Sequence, residues 1–73
     1  MSKEMSFAIF CLESYKAHKS LSGKQVVDLF LQFDVFDYLT QFYDVLHTTG
    51  YQYINQDIDM YLKARNAAGS SGE

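Results

Sequence analysis

Disulfides, proline breaks and long apolar runs are all missing from this 73-residue chain. It has one cysteine, no proline and no tryptophan. A single cysteine excludes an internal disulfide, which agrees with the reducing cytoplasm that we expect as its location. No apolar run approaches the roughly 20 residues that span a bilayer, and the first residues lack the pattern of a cleavable signal sequence. We therefore expect no membrane contact.

Positive charge is also scarce. Six Lys and Arg residues against nine Asp and Glu give a net charge of −3. Nucleic-acid-binding proteins neutralise phosphates with a basic surface, whereas the basic residues here are spread along the sequence. The segment placed like a helix-turn-helix recognition helix, residues 35–47, carries Asp37 and Asp44 and no Lys or Arg. We therefore expect no direct binding to nucleic acid.

Sequence patterns for cofactors, metals and nucleophiles are absent or weak. The four glycines are isolated, so no phosphate-binding loop is present. His18 and His47 are far apart and Cys11 is the only thiol, so no pair has the spacing of a zinc site. Ser14 lies four residues before His18, as in a nucleophile and base, but no acid has an obvious orienting position. We expect no cofactor, no metal and no enzymatic activity.

Apolar and aromatic residues are abundant instead. The chain is 48% apolar and has six Phe and six Tyr residues, which is typical of a folded domain. At this length only about 60% of the unfolded surface can be buried, so efficient packing or a partner chain is needed. Small residues at 67–73 predict a flexible tail, a linker or tag remnant, which leaves a single helical domain at 1–66.

Helical periodicity predicts an all-α fold, a compact bundle of about four short helices whose first two form a helical hairpin. The predicted helices cover residues 3–18, 23–33, 35–47 and 55–66. Their predicted buried faces, in that order, are Met5, Ala8, Ile9, Leu12 and Tyr15; Val26, Leu29, Phe30 and Phe33; Val35, Leu39, Phe42 and Leu46; and Ile58, Tyr61, Leu62 and Arg65.

Local signals indicate where these helices begin and end. Ser22 and Gln25 have the spacing of a capping box. Asp34 and Asn55 are placed to cap the third and fourth helices, and Gly50 to adopt a left-handed conformation after the third. Between these last two helices, the alternating residues 51–54 suggest a short extended stretch.

Six residues form the predicted partner-binding site, and they are Tyr38, His47, Tyr51, Tyr53, Asp57 and Asp59. Tyrosine is favoured at interfaces because it joins an apolar ring to a polar tip. The three tyrosines of this set lie off the principal helix faces or in a connection, whereas Tyr15, Tyr43 and Tyr61 are expected to fill the core.

The polar residues of this set also have structural explanations. We expect His47 to bond the last free carbonyls of the third helix, and Asp57 and Asp59 to stabilise free amides in the first turn of the fourth, beside an Asp59–Lys63 ion pair.

The first helix is apolar over most of its circumference. Phe7, Phe10 and Cys11 widen the apolar surface beyond its principal face, although Cys11 itself fits a small buried position. Short helices cannot easily cover both surfaces, so we expect a homo-oligomer.

Several segments resemble a short family of uncharacterised bacterial proteins. They are residues 46–50, then Ile54, Asp57-Ile58-Asp59 and Tyr61, with residues 2–7 and 21–25. The resemblance covers residues 2–65. Members tend to be encoded beside a larger protein resembling ADP-ribosyltransferases, often with a small DNA-binding regulator, in a toxin-antitoxin-like arrangement. The resemblance implies an accessory or neutralising partner of such a protein, with His47, Gly50, Asp57 and Asp59 as its motif positions.

These observations together predict a non-enzymatic protein–protein interaction module, an antitoxin-like or adaptor component. One alternative is a homodimeric regulatory subunit of a transcription-regulating complex, which reaches nucleic acid only through another protein. The other is a small enzyme whose site combines residues such as His47 and Asp57 across a subunit interface.

Overall fold

A computed structural model describes residues 1–70 of the chain. This part of the chain is helical and contains no strand, so the predicted all-α class is confirmed. The helices are α1 (Lys3–Lys19), α2 (Gly23–Gln32), α3 (Val35–Gln41), α4 (Tyr43–Leu46) and α5 (Tyr51–Ser70). Residues 71–73 of the predicted tail lie outside the described residues, and the tail and the hairpin stay predictions. No helix within residues 1–70 combines the length and apolar character needed to cross a membrane.

The N-terminus of α2 has the predicted capping box. The Gln25 amide donates to Ser22 Oγ at 3.1 Å, and the Ser22 amide donates to Gln25 Oε1 at 2.9 Å. Ser20, before it, is left-handed with φ of 55° and ends α1. Its amide donates to the Ala17 carbonyl at 3.3 Å. The turn between α1 and α2 is therefore held by bonds on both of its sides.

Ser22→Ala should destabilise the domain by about 1 kcal/mol, because the amide of Gln25 loses its acceptor at the start of α2. Thermal melts of the two proteins measure the difference. Lys24→Ala, on the exposed side of the same turn, is the control and should melt close to the wild type. An unchanged midpoint for Ser22→Ala would show that the cap contributes nothing to stability.

The predicted third helix is wrong, since it is divided at Phe42 into α3 and α4. Thr40 Oγ1 donates to the Phe36 carbonyl at 2.9 Å, a competing side-chain bond that bends helices. Phe42 has φ of −102° and is 46% exposed, so its predicted buried position is also wrong. Asp34 precedes α3 but is left-handed and makes no side-chain capping bond. The predicted Asp34 cap is therefore wrong as well.

The last helix begins four residues earlier than predicted, at Tyr51. The carbonyl of Gly50 accepts from the amides of Tyr53 and Ile54 at 3.0 and 3.1 Å, which starts the helix there. Ile54 is 1% exposed, and its burial favours a helical rather than an extended segment. The extended stretch at 51–54 and the Asn55 cap are therefore wrong predictions. The left-handed Gly50 is wrong as well, since no described glycine has a positive φ.

The core draws on all five helices. The predicted face of α2 is confirmed, with Val26 and Phe30 buried and Leu29 and Phe33 packed against the core. Met5 and Ile9 were placed on the buried face of α1 but are 38% and 40% exposed, because that face is centred closer to Ala8 and Cys11. The buried apolar side chains are Ala8, Cys11, Leu12, Tyr15, Val26, Phe30, Val35, Leu39, Leu46, Ile54, Ile58 and Leu62.

Candidate functional site

Helices α1 and α5 run parallel and pack in a constant register. Three pairs of facing side chains join them. The two members of each pair are 41 residues apart in sequence, and successive pairs follow at intervals of four residues along each helix. The pairs are Phe10 and Tyr51, with ring centroids 4.5 Å apart; Ser14 and Asn55, with Asn55 Nδ2 donating to Ser14 Oγ at 3.2 Å; and His18 and Asp59, with Nε2 and Oδ2 3.4 Å apart.

Aromatic rings collect where both helices begin, at a surface that we call the aromatic end: Phe7, Phe10, Tyr43, His47 and Tyr51. Phe7 meets the Tyr43 ring edge-on at 5.3 Å, and Tyr43 stacks on the His47 ring at 4.3 Å. Phe10 lies one turn beyond Phe7 and stacks on Tyr51. Phe10 and Tyr51 are each about half exposed, at 51% and 50%. The rings hold one another in place while they remain accessible to solvent.

His47 makes the kind of bond that was predicted for it. Its Nδ1 lies 2.7 Å from the carbonyl of Tyr43, in the last turn of α4. This contact and the stacking on Tyr43 fix the ring orientation. The imidazole is thus an ordered part of the aromatic end.

Asp59 is surrounded by donors where α1 ends, and not in the first turn of α5 as predicted. Tyr15 Oη donates to Oδ1 at 2.6 Å, and Lys19 Nζ lies 3.2 Å from the same oxygen. The described ion pairs of Asp59 are to Lys19 and His18, so the predicted pair with Lys63 does not form. Burial alone would raise the pKa of Asp59, but the bonds from Tyr15 and Lys19 outweigh it and lower the pKa.

Acidification should remove the stability that Asp59 contributes. Because its pKa is lower in the folded chain than the ordinary 3.8, this contribution is present above about pH 4. It is lost as the pH falls through the folded value. We expect urea unfolding between pH 7 and pH 2 to show a steeper loss of stability for the wild type than for Asp59→Asn, and parallel curves would contradict this role.

Asp57 faces a different neighbour, because two residues along a helix turn a side chain by about 200°. It accepts a hydrogen bond from Tyr38 Oη. The Tyr38 ring stacks on Tyr61 at 4.4 Å, and the Arg65 guanidinium lies 3.9 Å above the Tyr61 ring. Burial, followed by the bond to Asp57 and its charge, raises the pKa of Tyr38 to about 12. Tyr38 and Asp57 therefore satisfy each other within the chain.

The structure divides the six predicted partner-binding residues into separate places. His47 and Tyr51 share the aromatic end, and Tyr53, 67% exposed, follows Tyr51 on α5. The Tyr38–Asp57 pair and Asp59 lie further along α5, on different sides of it. Phe10 was not among the predicted partner-binding residues, although its i, i+4, i+8 spacing with Ser14 and His18 marks a shared helix face.

The Ser14–His18 pair considered from sequence is engaged in other bonds. Ser14 Oγ accepts from Asn55, while His18 lies against Asp59, an acid that is 41 residues away in the chain. Cys11 is fully buried, and burial raises the pKa of its thiol to about 12, so the thiol is protonated and inert at neutral pH. Within residues 1–70, no three His, Cys, Asp or Glu side chains are grouped to hold a metal ion.

Comparison with known proteins identifies the family but no characterised relative. No curated protein and no solved structure matches the chain significantly. The family model described as "Protein of unknown function (DUF3791)" matches residues 6–65, most of the chain. The protein therefore belongs to this uncharacterised family.

Proposed function

We propose that the domain is a non-enzymatic protein–protein interaction module that binds its partner through the aromatic end. The observation that carries this proposal is the stacked pair of Phe10 and Tyr51, each about half exposed to solvent. Burying the remaining apolar surface of two such rings against a partner stabilises a complex by about 25 cal/mol per Å². Aromatic side chains are also the ones enriched at the centres of interfaces.

The fixed orientation of these rings supports the same proposal. A ring that is already held by its neighbours loses little side-chain freedom when a partner covers it. Phe10 is held by Tyr51, and Tyr43 by Phe7 and His47. The aromatic end is therefore preorganised for contact.

The family resemblance supports an antitoxin-like or adaptor role, and the single cysteine supports a cytoplasmic location. On that reading the partner is an ADP-ribosyltransferase-like protein, which the domain neutralises or positions. The net charge of −3 favours a partner surface with a basic rim around an apolar centre. A second copy of the chain is an alternative partner, and light scattering of the chain alone distinguishes it, since a monomer has a mass of 8.4 kDa.

Substituting Tyr51 by alanine should weaken partner binding at least about tenfold with little loss of helicity. The partner is first captured with the untagged wild type and then purified for calorimetry. Circular dichroism of each variant controls for folding. Leu31→Ala is the matched control, because Leu31 is also well exposed, at 62%, but lies on α2.

Two outcomes would contradict this placement of the interface. Normal binding by Tyr51→Ala would show that the partner does not use the stacked pair of Phe10 and Tyr51. Equal weakening by Leu31→Ala would show that any lost apolar side chain has the same effect.

A further inference from the structure

A groove lies beside Asp59, between the C-terminal part of α1, the end of α2 and the later turns of α5. Its volume is about 510 Å³, within the range of small-molecule sites. It includes Lys19, which is nine residues and therefore about 13 Å along α1 from Phe10. The groove is thus separate from the aromatic end, and the inference below goes beyond the proposed function.

Part of the groove lining is apolar. Leu29 contributes from α2, Phe33 from the residue that follows α2, and Leu62 from α5. All three also pack in or against the core, so their positions are fixed by the fold. They offer a surface for the body of a ring or a branched chain.

The polar side of the groove has an excess of hydrogen-bond donors. Lys19 and Lys63 approach it from different helices, although they are 44 residues apart in sequence. Its one carboxylate, Asp59, already accepts from Tyr15 and Lys19. Lys63 makes no ion pair with any residue among the described ones. A ligand that complements these groups carries a negative charge next to its apolar part.

We propose that this groove binds a small organic carboxylate with an aromatic or branched apolar body. The carboxylate lies against the ammonium groups of Lys63 and Lys19. Lys19 keeps its contact to Asp59 and donates its other protons to the ligand. The apolar body covers Leu29, Phe33 and Leu62. The charged and the apolar parts of the ligand are then both matched, whereas a cationic ligand would meet two ammonium groups and an occupied carboxylate.

Titration of the full chain with 3-phenylpropionate, followed by ¹⁵N–¹H NMR, tests the proposal without any protein partner. We expect saturable shifts at the amides of Lys19, Leu62 and Lys63, and none at Phe10 and Tyr51. The neutral isostere 3-phenylpropanamide should bind about fivefold more weakly, as loss of an exposed charge pair predicts.

Variants at Lys63 give the second part of the test. Lys63→Gln should weaken 3-phenylpropionate binding about fivefold, and Lys63→Arg, which keeps the charge, should retain it. The control is Lys24→Gln, since Lys24 lies on α2 outside the groove and pairs with Asp28. No saturable shift, equal binding of acid and amide, or unchanged binding by Lys63→Gln would each overturn the proposal. The same spectra report whether each variant is folded.

Discussion

Asn55→Asp is expected to destabilise the domain by about 3 kcal/mol at neutral pH. Asn55 is 8% exposed and lies between α5 and α1. Its Nδ2 donates to Ser14, whereas its Oδ1 is buried without a hydrogen bond to any described residue. A carboxylate at this position would be desolvated, with the Ser14 hydroxyl as its one hydrogen-bond donor. The carboxylate of Asp59, one turn further along α5, would also repel it.

The pH dependence and a matched variant test the cause of this loss. Burial raises the pKa of the introduced carboxyl in the folded state, so the unfolded chain loses the proton first and stability falls as the pH rises. Acidification toward pH 4 should therefore restore stability relative to the wild type. Asn55→Leu has a similar volume and removes the unbonded oxygen, so it should stay within about 1 kcal/mol of the wild type. Equal destabilisation by both variants in urea unfolding would contradict the burial of Oδ1.

Phe30→Ala is expected to destabilise the domain by about 4 kcal/mol. Phe30 is fully buried, and its ring meets Tyr15 at 5.8 Å and Phe36 at 5.4 Å. Its loss leaves a cavity between α1, α2 and α3. A chain of 73 residues has a total stability of only about 4–11 kcal/mol, so the variant should lose at least about a third of its stability and melt at a much lower temperature.

Leu31 is the matched control for Phe30, because it is the next residue on α2 and is 62% exposed. Leu31→Ala should change the free energy of unfolding by less than about 0.5 kcal/mol. Thermal and urea melts of both variants give the comparison. Similar melting points for the two variants would show that α2 is rotated from the position described above.

The parts of the fold that depend on neighbouring residues could be predicted from the sequence. The capping box of Ser22 and Gln25 uses atoms three residues apart, and it placed the start of α2 correctly. The apolar period of α2 likewise identified Val26 and Phe30 as buried. Cys11 was recognised as a small buried side chain because apolar residues flank it. In each case the sequence pattern that allowed the prediction lies within one or two turns of the same helix.

Boundaries that depend on tertiary contacts could not be predicted in this way. The junction between α2 and α3 is held by Tyr61, whose hydroxyl donates to the Phe33 carbonyl at 3.1 Å from 28 residues away. Asp34, the next residue, is left-handed and makes no side-chain capping bond. The start of α5 follows the burial of Ile54, which depends on the position of the other helices.

In the candidate site, too, local sequence predicted some features while tertiary contacts decided others. Sequence patterns identified tyrosines as surface candidates, but the partner of each one is set by the register between helices. Tyr51 meets Phe10 and Asp59 meets His18 because α1 and α5 are parallel and offset by 41 residues. Asp57, by contrast, faces Tyr38. No local pattern encodes that offset, so the sequence could not separate the aromatic end from Asp59 and the donors around it.

Amide hydrogen exchange of the chain, alone and bound to its captured partner, tests the proposed interaction surface most directly. We expect partner binding to slow exchange at residues 7–10 and 51–54, around the stacked rings of Phe10 and Tyr51, with α2 unchanged. The Tyr51→Ala variant should lose that protection while it keeps the exchange pattern of the free wild type. Protection confined to α2 or to the groove, with residues 7–10 and 51–54 unaffected, would contradict the aromatic end as the partner-binding surface.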